Sequence, residues 1–523
     1  MGPGVLPSPA EVPRADRSAV IESHLQRWQG RYLVLFTAVF FLSTGFVAAR
    51  RIFNNDELFT LYVSRLGSVS EICTALLRGA DNHPPLDYIL RHFSMGVFGY
   101  TEFGERFPSL LGFWMFCICL YRFTARSTGA IGGFIALLVP FSTAAYEYSY
   151  FGRSYGVQLG FAGLTLVAWQ AVHLSVARRR AVVAALAFFV ALCGLLTLHY
   201  YAILILLPLG AAEAIRPLQK RRPEWKILLA TAAAGCCAAA ILAPYARYTA
   251  KYAQHFATPV RISSVAYTYL ELLQTSCLAL SGSLFLAAFL IAKKEWGESA
   301  TPTPMPLRLH EVTFSGVSLL IPLALAILAR FVTKAFYPKY ALLMVPGFAV
   351  LTAFVILWAT TERPRLRSAV LFALLISAGY AMGRNAWGYQ DDDQVAFIQG
   401  TKEAIKSLMI PVVFNHPGKF LVFDYYTRSS DPKARLLVSS DAAVRWTAKD
   451  TDDRSVRDLS FLVPGKVEDY ADFMRREHTF IVVPPTRWII PQLLDDGFHV
   501  ETVRLPGGLI AIQATARTSP GRN

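Results

Sequence analysis

Asp56 and Glu57 form an acidic pair just past the first long apolar segment, Tyr32 to Ala49, and His83-Pro84-Pro85-Leu86 follows in the same stretch. A carboxylate at a membrane surface can take a proton from a hydroxyl group. Neighbours on a helix point about 100° apart, so only one of the pair can face a cavity while the other turns to a cap, loop or water. The structural alternative is an Asn55 or Asp56 N-cap with a dipole-favoured acid beside it, opening a helix through Leu58, Leu61, Tyr62 and Leu66. His83, neutral or protonated, sits in a rigid polar run from Asp81 to Leu86 and can bind a phosphate, a metal or a sugar hydroxyl; its alternative is a turn with a solvated histidine.

Cations gather on the same side of the chain's topology. Arg106 lies in Glu105-Arg106-Phe107-Pro108-Ser109, and Arg153 and Tyr155 follow the tyrosine-rich run 146–150. His199-Tyr200-Tyr201, Arg330, Lys334 and Phe336-Tyr337-Pro338-Lys339-Tyr340 complete the set. A carboxylate with several cations at one interface suits phosphate handling. Each residue alone reads equally well as a snorkelling anchor or part of a tyrosine belt.

The elements that must position these residues are membrane helices. The chain has 523 residues, 54% hydrophobic and 17% charged, and its apolar runs reach the roughly 20 residues that cross a bilayer. About eleven spans are expected, at 32–50, 106–123, 128–145, 156–175, 181–199, 200–215, 227–245, 269–292, 312–330, 340–358 and 366–383. Basic clusters such as Arg178-Arg179-Arg180 and Lys220-Arg221-Arg222 follow even-numbered spans, which makes those loops and the N-terminus cytoplasmic and the C-terminal region periplasmic. The net charge of +15 resides largely in these short loops, so nucleic acid is not an expected partner. The seven cysteines show no metal-type spacing and read as small core residues.

Three regions result: a disordered cytoplasmic tail (1–31), a membrane domain (32–386) whose first outer loop spans 51–105, and a small soluble α/β domain (387–523). In the loop, Ser68 with Glu71 predicts a capping box, and Pro84-Pro85 opens a helix too short to span, so these helices should lie on the surface or re-enter. In the α/β domain, strands are expected at 420–423, 436–438, 480–483 and 509–512, and helices at 395–408, 467–476 and 488–494.

The chain resembles the GT-C-fold, polyprenyl-phosphate-sugar-dependent glycosyltransferases, the superfamily of protein O-mannosyltransferases and bacterial aminoarabinose transferases. The resemblance rests on Asp56-Glu57, His83-Pro84-Pro85-Leu86, Glu105-Arg106-Phe107-Pro108-Ser109, Tyr148 to Tyr155, and Tyr337-Pro338-Lys339-Tyr340, in the family's order. It implies that Asp56 is the catalytic carboxylate with Glu57 in support, and that His83, Arg106, Arg153, Tyr155, Tyr337 and Lys339 serve the donor phosphate. Three positions depart from the pattern: Phe151 stands where many relatives carry an acid, His83 where some have lysine, and Lys339 in place of a frequent arginine, which loses a bidentate fork.

The implied reaction moves a sugar from a polyprenyl phosphate to an acceptor hydroxyl or phosphate on a protein, lipid or glycan, at the bacterial inner membrane, with inversion if one carboxylate acts. A divalent metal bridging carboxylate and phosphate is compatible with Asp56, Glu57 and His83, although their spacing matches no metal motif. The rival readings are a transporter or lipid flippase, which should show internal repeats and mid-span charges, and a non-catalytic scaffold, which leaves the loop acids unexplained.

Overall fold

The computed structural model describes residues 17–220, 224–252, 260–274, 282, 308–360, 363–389, 392–427, 433–463, 466–505 and 508–516. Helix α1 (Arg17–Arg50) begins well before the apolar segment, so residues 17–31 are helical where a disordered tail was expected. Three short helices follow, α2 (Asn55–Ser64), α3 (Val69–Arg78) and α4 (Pro85–Phe98), each with a start written in its sequence. The α2 cap is Asn54, one residue earlier than expected, because Glu57 must stand third in the helix to reach back to the Asn54 amide at 2.7 Å. Ser68 accepts from the Glu71 amide to open α3, and Pro85 opens α4 where its missing N–H leaves no bond unmade.

Helix α5 (Glu102–Leu138) is interrupted at Gly129, whose φ of +76° only glycine adopts readily. The chain reverses there. The Tyr121 and Phe134 rings meet at 4.8 Å, whereas a straight helix would hold them about 20 Å apart. The expected spans 106–123 and 128–145 are the two arms of this turn.

The bundle continues through α6 (Tyr155–Leu174), α7 (Arg178–Leu198), α8 (Leu206–Lys220), α9 (Trp225–Tyr252), α10 (Ile262–Leu273), α11 (Leu309–Ser318), α12 (Ile321–Leu328), α13 (Met344–Ala359) and α14 (Pro364–Trp387). Among the described residues, seven helices are long and apolar enough to cross a membrane, or eight if the bent pair α11–α12 is one span. Eleven were expected. The two arms of α5 count once, α13 has only 16 residues, and most of the expected span 269–292 lies outside the described residues. Helix α5 packs on α1, α6 and α13, α6 on α7, and α7 on α9. Helices α5 and α6 meet backbone to backbone: a Cβ on Gly156 would lie 2.7 Å from the Ser109 carbonyl, and one on Gly160 2.7 Å from that of Gly112.

The C-terminal region comprises α15 (Asp392–Ser407), β1 (Val412–Phe414), α16 (Pro417–Thr427), β2 (Ala434–Val438), α17 (Ser440–Thr447), α18 (Thr451–Asp458), β3 (Val467–Asp469), α19 (Tyr470–Met474), β4 (Thr479–Val482), α20 (Ile489–Asp495), β5 (Phe498–Arg504) and β6 (Ile510–Ala516). The strands form one sheet in the order β3-β2-β1-β4-β6-β5, parallel through the first four and antiparallel thereafter. Residues 420–423 are helical, correcting the expected strand. Four consecutive apolar residues fit either state, and Pro417 at the helix start decides it. The expected helix 467–476 divides into β3 and α19.

Helices cover both faces of the sheet. On one, Leu437, Phe480 and Val482 pack with Ala443, Phe473 and Trp488. On the other, Val412, Phe414 and Ile481 pack with Phe420, Phe423 and Val456, and this core continues without a break into Phe53, Leu58, Leu61, Val63 and Ile72 of the segment between α1 and α5. Polar clasps reinforce the junction: the Phe53 amide donates to the Tyr426 hydroxyl at 2.8 Å, and the Tyr62 hydroxyl to Asp424 at 3.2 Å. The α/β domain and the helices carrying Asp56 are therefore built on shared apolar surface.

Candidate active site

Asp56 projects from the first turn of α2 and is partly exposed. Its Oδ2 accepts from the Lys339 Nζ at 2.9 Å. That ammonium lies 5.7 Å from the ring centres of both Tyr155 and Tyr337, which hold the cation between their faces. Burial alone would raise the Asp56 pKa. The charges of Arg153 and Lys339, with the Lys339 hydrogen bond, outweigh it and hold the carboxyl at about 2.

Arg153 is buried at the foot of α6. Its Nη1 donates to Thr60 Oγ1 at 2.9 Å and to Asp81, and its carbonyl accepts from Ser109 Oγ at 3.1 Å. Ser109 is in turn held by Arg91 Nη2 at 2.9 Å, and Arg91 by Asp87 at 2.8 Å. This chain of buried groups fixes the guanidinium. His83 faces Arg153 and Lys339; burial and those two cations push its pKa well below the usual imidazole value, so it is neutral. Its ring meets His199 edge to face at 5.0 Å. His199 Nδ1 accepts from the Tyr201 amide at 3.2 Å, which leaves Nε2 as the protonated nitrogen.

Beside this cluster opens a cavity of about 410 Å³, walled by Asn82, His83, His199, Tyr201, Val332 and Tyr340 among others. The wall is mostly apolar and aromatic, and Tyr201 and Tyr340 stack at 4.5 Å along it. His83 links this chamber to the polar cluster, since it lines the wall and also faces Arg153 and Lys339.

Glu57 and Arg106 have a different place. The Glu57 carboxylate is buried and accepts both arms of the Arg106 fork, at 2.7 and 2.8 Å, plus the amides of Gly152 and Asn54 at 2.6 and 2.7 Å. Arg106 spends its remaining donors on the carbonyls of Ala48, Arg51 and Ile52, closing the end of α1. All five of its N–H groups are occupied. In this arrangement Arg106 has no donor left for a phosphate and both Glu57 oxygens are engaged, so the pair ties α1, α2, α5 and the 152 turn together.

The structure brings together Asp56, His83, Arg153, Tyr155, Tyr337 and Lys339 from segments far apart in sequence. Asp81, Asp87 and Arg91 were not singled out as site residues; the spacing of Asp87 and Arg91, one helical turn apart in an apolar helix, was the available signal. Among the described residues no three of His, Cys, Asp and Glu are grouped as metal ligands. The donor set does not suit a divalent cation either, because Asp56 already faces two fixed cations and Glu57 is closed by a third.

The fold is similar to that of a solved membrane protein, ArnT. ArnT from Cupriavidus metallidurans in the apo state aligns over 93% of this chain and 98% of its own, with a TM-score of 0.56 at 13% identity. The same protein bound to undecaprenyl phosphate aligns over 94% and 99%, with a TM-score of 0.54 at 14% identity. The archaeal oligosaccharyltransferase AglB from Archaeoglobus fulgidus, in complex with an inhibitory peptide and a dolichol-phosphate, covers 95% of this chain and 75% of its own at a TM-score of 0.41 and 10% identity. No family model and no curated protein sequence matches the chain.

Proposed function

We propose that this protein is an integral membrane glycosyltransferase that moves a sugar from a polyprenyl-phosphate donor to an acceptor hydroxyl, with Asp56 as general base. The observation that carries this reading is the meeting of Asp56, Lys339 and Arg153 around His83, whose ring also walls the 410 Å³ apolar cavity. A long isoprenoid phosphate matches it, apolar chain to chamber and phosphate to cations. The shared fold with ArnT, solved with undecaprenyl phosphate bound, supports the same assignment.

In the displacement, the acceptor O–H gives its proton to Asp56 while its oxygen forms a bond to the anomeric carbon. The bond from that carbon to the phosphate oxygen breaks, and the electron pair leaves with polyprenyl phosphate. Lys339 and Arg153 stabilise the charge that grows on the phosphate. Neutral His83 contributes a hydrogen bond. With one acting carboxylate the anomeric configuration inverts.

A carboxyl held at about 2 is a weak base. Donor binding remedies this: the negative phosphate beside Lys339 and Arg153 offsets their field at Asp56, and its basicity rises as the substrate arrives. The basic loops support a site on the face opposite the cytoplasm, which in a bacterial inner membrane is the periplasmic one.

The test is release of free polyprenyl phosphate by purified protein given polyprenyl-phosphate sugars and an envelope extract. Wild type should release it, and Asp56→Asn should lose at least a hundredfold in turnover while still melting in one cooperative transition. Equal release by both would remove Asp56 from the base role. Substrate crossing vesicles without covalent change would favour the transporter reading.

A further inference from the structure

Three elements that carry side chains of the site meet a second time at their opposite ends. At the site, Tyr155 opens α6, His199 and Tyr201 precede α8, and Lys339 and Tyr340 follow α12. The His199 ring meets Tyr155 at 5.6 Å and Tyr340 at 5.0 Å, and the Tyr201 hydroxyl reaches the Ala335 carbonyl at 2.9 Å. His173 stands at the other end of α6, roughly 27 Å from Tyr155 at 1.5 Å per residue, which is close to the depth of a hydrocarbon core. There Trp169, Gln170 and His173 of α6 come together with Glu213 and Arg216 of α8 and with His310 and Glu311 of α11.

This second meeting is polar, and Gln170, His173, Arg216, His310 and Glu311 are all buried in it. Glu213 Oε1 accepts from the Trp169 indole at 2.7 Å and pairs with His173 Nε2 at 2.8 Å, while its Oε2 lies 3.9 Å from Arg216 Nη1. Glu311 Oε1 accepts from Gln170 Nε2 at 2.9 Å, and its Oε2 accepts from the Arg308 amide at 3.3 Å and from Ser127 of α5 at 3.4 Å. Arg126 of α5 donates to the Gln170 carbonyl oxygen at 3.2 Å, and the His173 and His310 rings meet at 4.9 Å. Each acid therefore ties α6 to one other element, Glu213 to α8 and Glu311 to α11.

Apolar side chains would close these helices on one another without the cost of desolvating charge. Hydrogen bonds between helices add register, because each is made at one height and one rotation of its helix. Among the described residues His173 Nδ1, His310 Nδ1 and Arg216 Nε have no hydrogen-bond partner, so the cluster is not the arrangement that stability alone would favour. The helices carry its register toward the site. Helix α6 runs unbroken and without proline from His173 back to Tyr155. Helix α11 hands on to α12 across a bend of 49° at Leu319-Leu320, and the direction in which α12 leaves that bend sets where Lys339 stands.

We propose that this buried cluster is a clamp that positions the donor-binding groups from the far side of the membrane, with Glu213 and Glu311 as its positioning residues. This rests on the glycosyl-transfer reading above and adds residues remote from the chemistry that set the shape of its donor site. Glu213 fixes α6 against α8, and so the spacing of Tyr155 from His199 and Tyr201. Glu311 fixes α6 and α5 against α11, and so the place of Lys339 and Tyr340 beside the 410 Å³ cavity. Neither acid touches the donor, and each acts on donor affinity through the helix that it holds.

The experiment titrates full-length detergent-purified protein with a fluorescent polyprenyl phosphate and reads its Kd. Glu213→Gln and Glu311→Gln keep the side chain's shape and remove its charge, and each should weaken binding roughly tenfold, with the donor KM rising by the same factor and the acceptor KM unchanged. His310→Gln alters the cluster without touching an acid, should weaken binding roughly twofold, and serves where a glutamate variant fails to fold. Thr37→Val is the control for lost stability alone: it takes from the Trp114 indole its acceptor at 3.0 Å, between α1 and α5, and should bind as wild type does. Unchanged binding in the folded cluster variants, equal weakening in Thr37→Val, or no binding by wild type would overturn the proposal. Binding that responds to the cluster in a protein that transfers no sugar would sink the transferase reading and leave the clamp standing.

Discussion

At the scale of single residues, the Asp56–Lys339 pair governs how the site responds to pH. The folded carboxyl is held at about 2 against an ordinary 3.8, so its contribution to stability is complete above 3.8 and is lost as pH falls toward 2. In the free enzyme it remains ionised throughout the working range, and kcat/KM should show no acid limb from Asp56 above pH 5. Lys339→Met removes a cation and a hydrogen bond while burial still raises the pKa, so an acid limb should enter the range above pH 4; a profile identical to wild type would show that Lys339 does not set the base. Glu57→Gln tests the neighbouring acid in another currency. It leaves the Arg106 guanidinium buried and half-paired, and should lower stability by roughly 3–5 kcal/mol, read as a depressed melting temperature. If instead turnover fell at constant stability, Glu57 would belong to the chemistry. The residue types at the site were legible in the sequence because acids and cations in loops of one side stand out in an apolar chain. The division of labour between Asp56 and Glu57 was not, since it depends on Arg106 and Gly152 arriving from distant segments to saturate one carboxylate and leave the other open.

At the scale of elements, the position of Arg153 depends on how closely α6 approaches α5. Gly156 and Gly160 bring the two backbones into contact at Ser109 and Gly112, and Ser109 itself holds the Arg153 carbonyl. Gly156→Val would force the helices apart at the point that sets this cation. Turnover should fall at least tenfold and the donor KM should rise, because Arg153 would be drawn from the phosphate site. Normal kinetics with the valine would mean that the helix contact does not position the cation. The short helices of the first outer loop were readable from their caps, which are local signals that act within one turn. Helix α16 was not, because Phe420 to Phe423 is buried on every side and so shows no period that distinguishes a strand from a helix.

At the scale of the molecule, the consequence of the shared core is that the membrane and α/β regions should not be separable. Phe53, Leu58, Leu61 and Val63 flank Asp56, and their cover is supplied by Phe397, Phe420, Leu421 and Phe423 from the C-terminal region. Several of these side chains are fully buried, and uncovering each would return apolar surface worth roughly 1.5–3 kcal/mol to water. A chain ending at residue 386 would also lose the Tyr426 and Asp424 contacts that clasp Phe53 and Tyr62. Helix α2 would then keep its cap but not its bed, and Asp56 would lose its register against Lys339. Such a truncated protein should release no polyprenyl phosphate, and the intact protein should melt in one transition whether followed by helical signal or by the tryptophans Trp446 and Trp488 of the α/β region. Two separate transitions, or a truncated chain that still turns over, would mean that the outer domain rests on the catalytic loop without holding it in place.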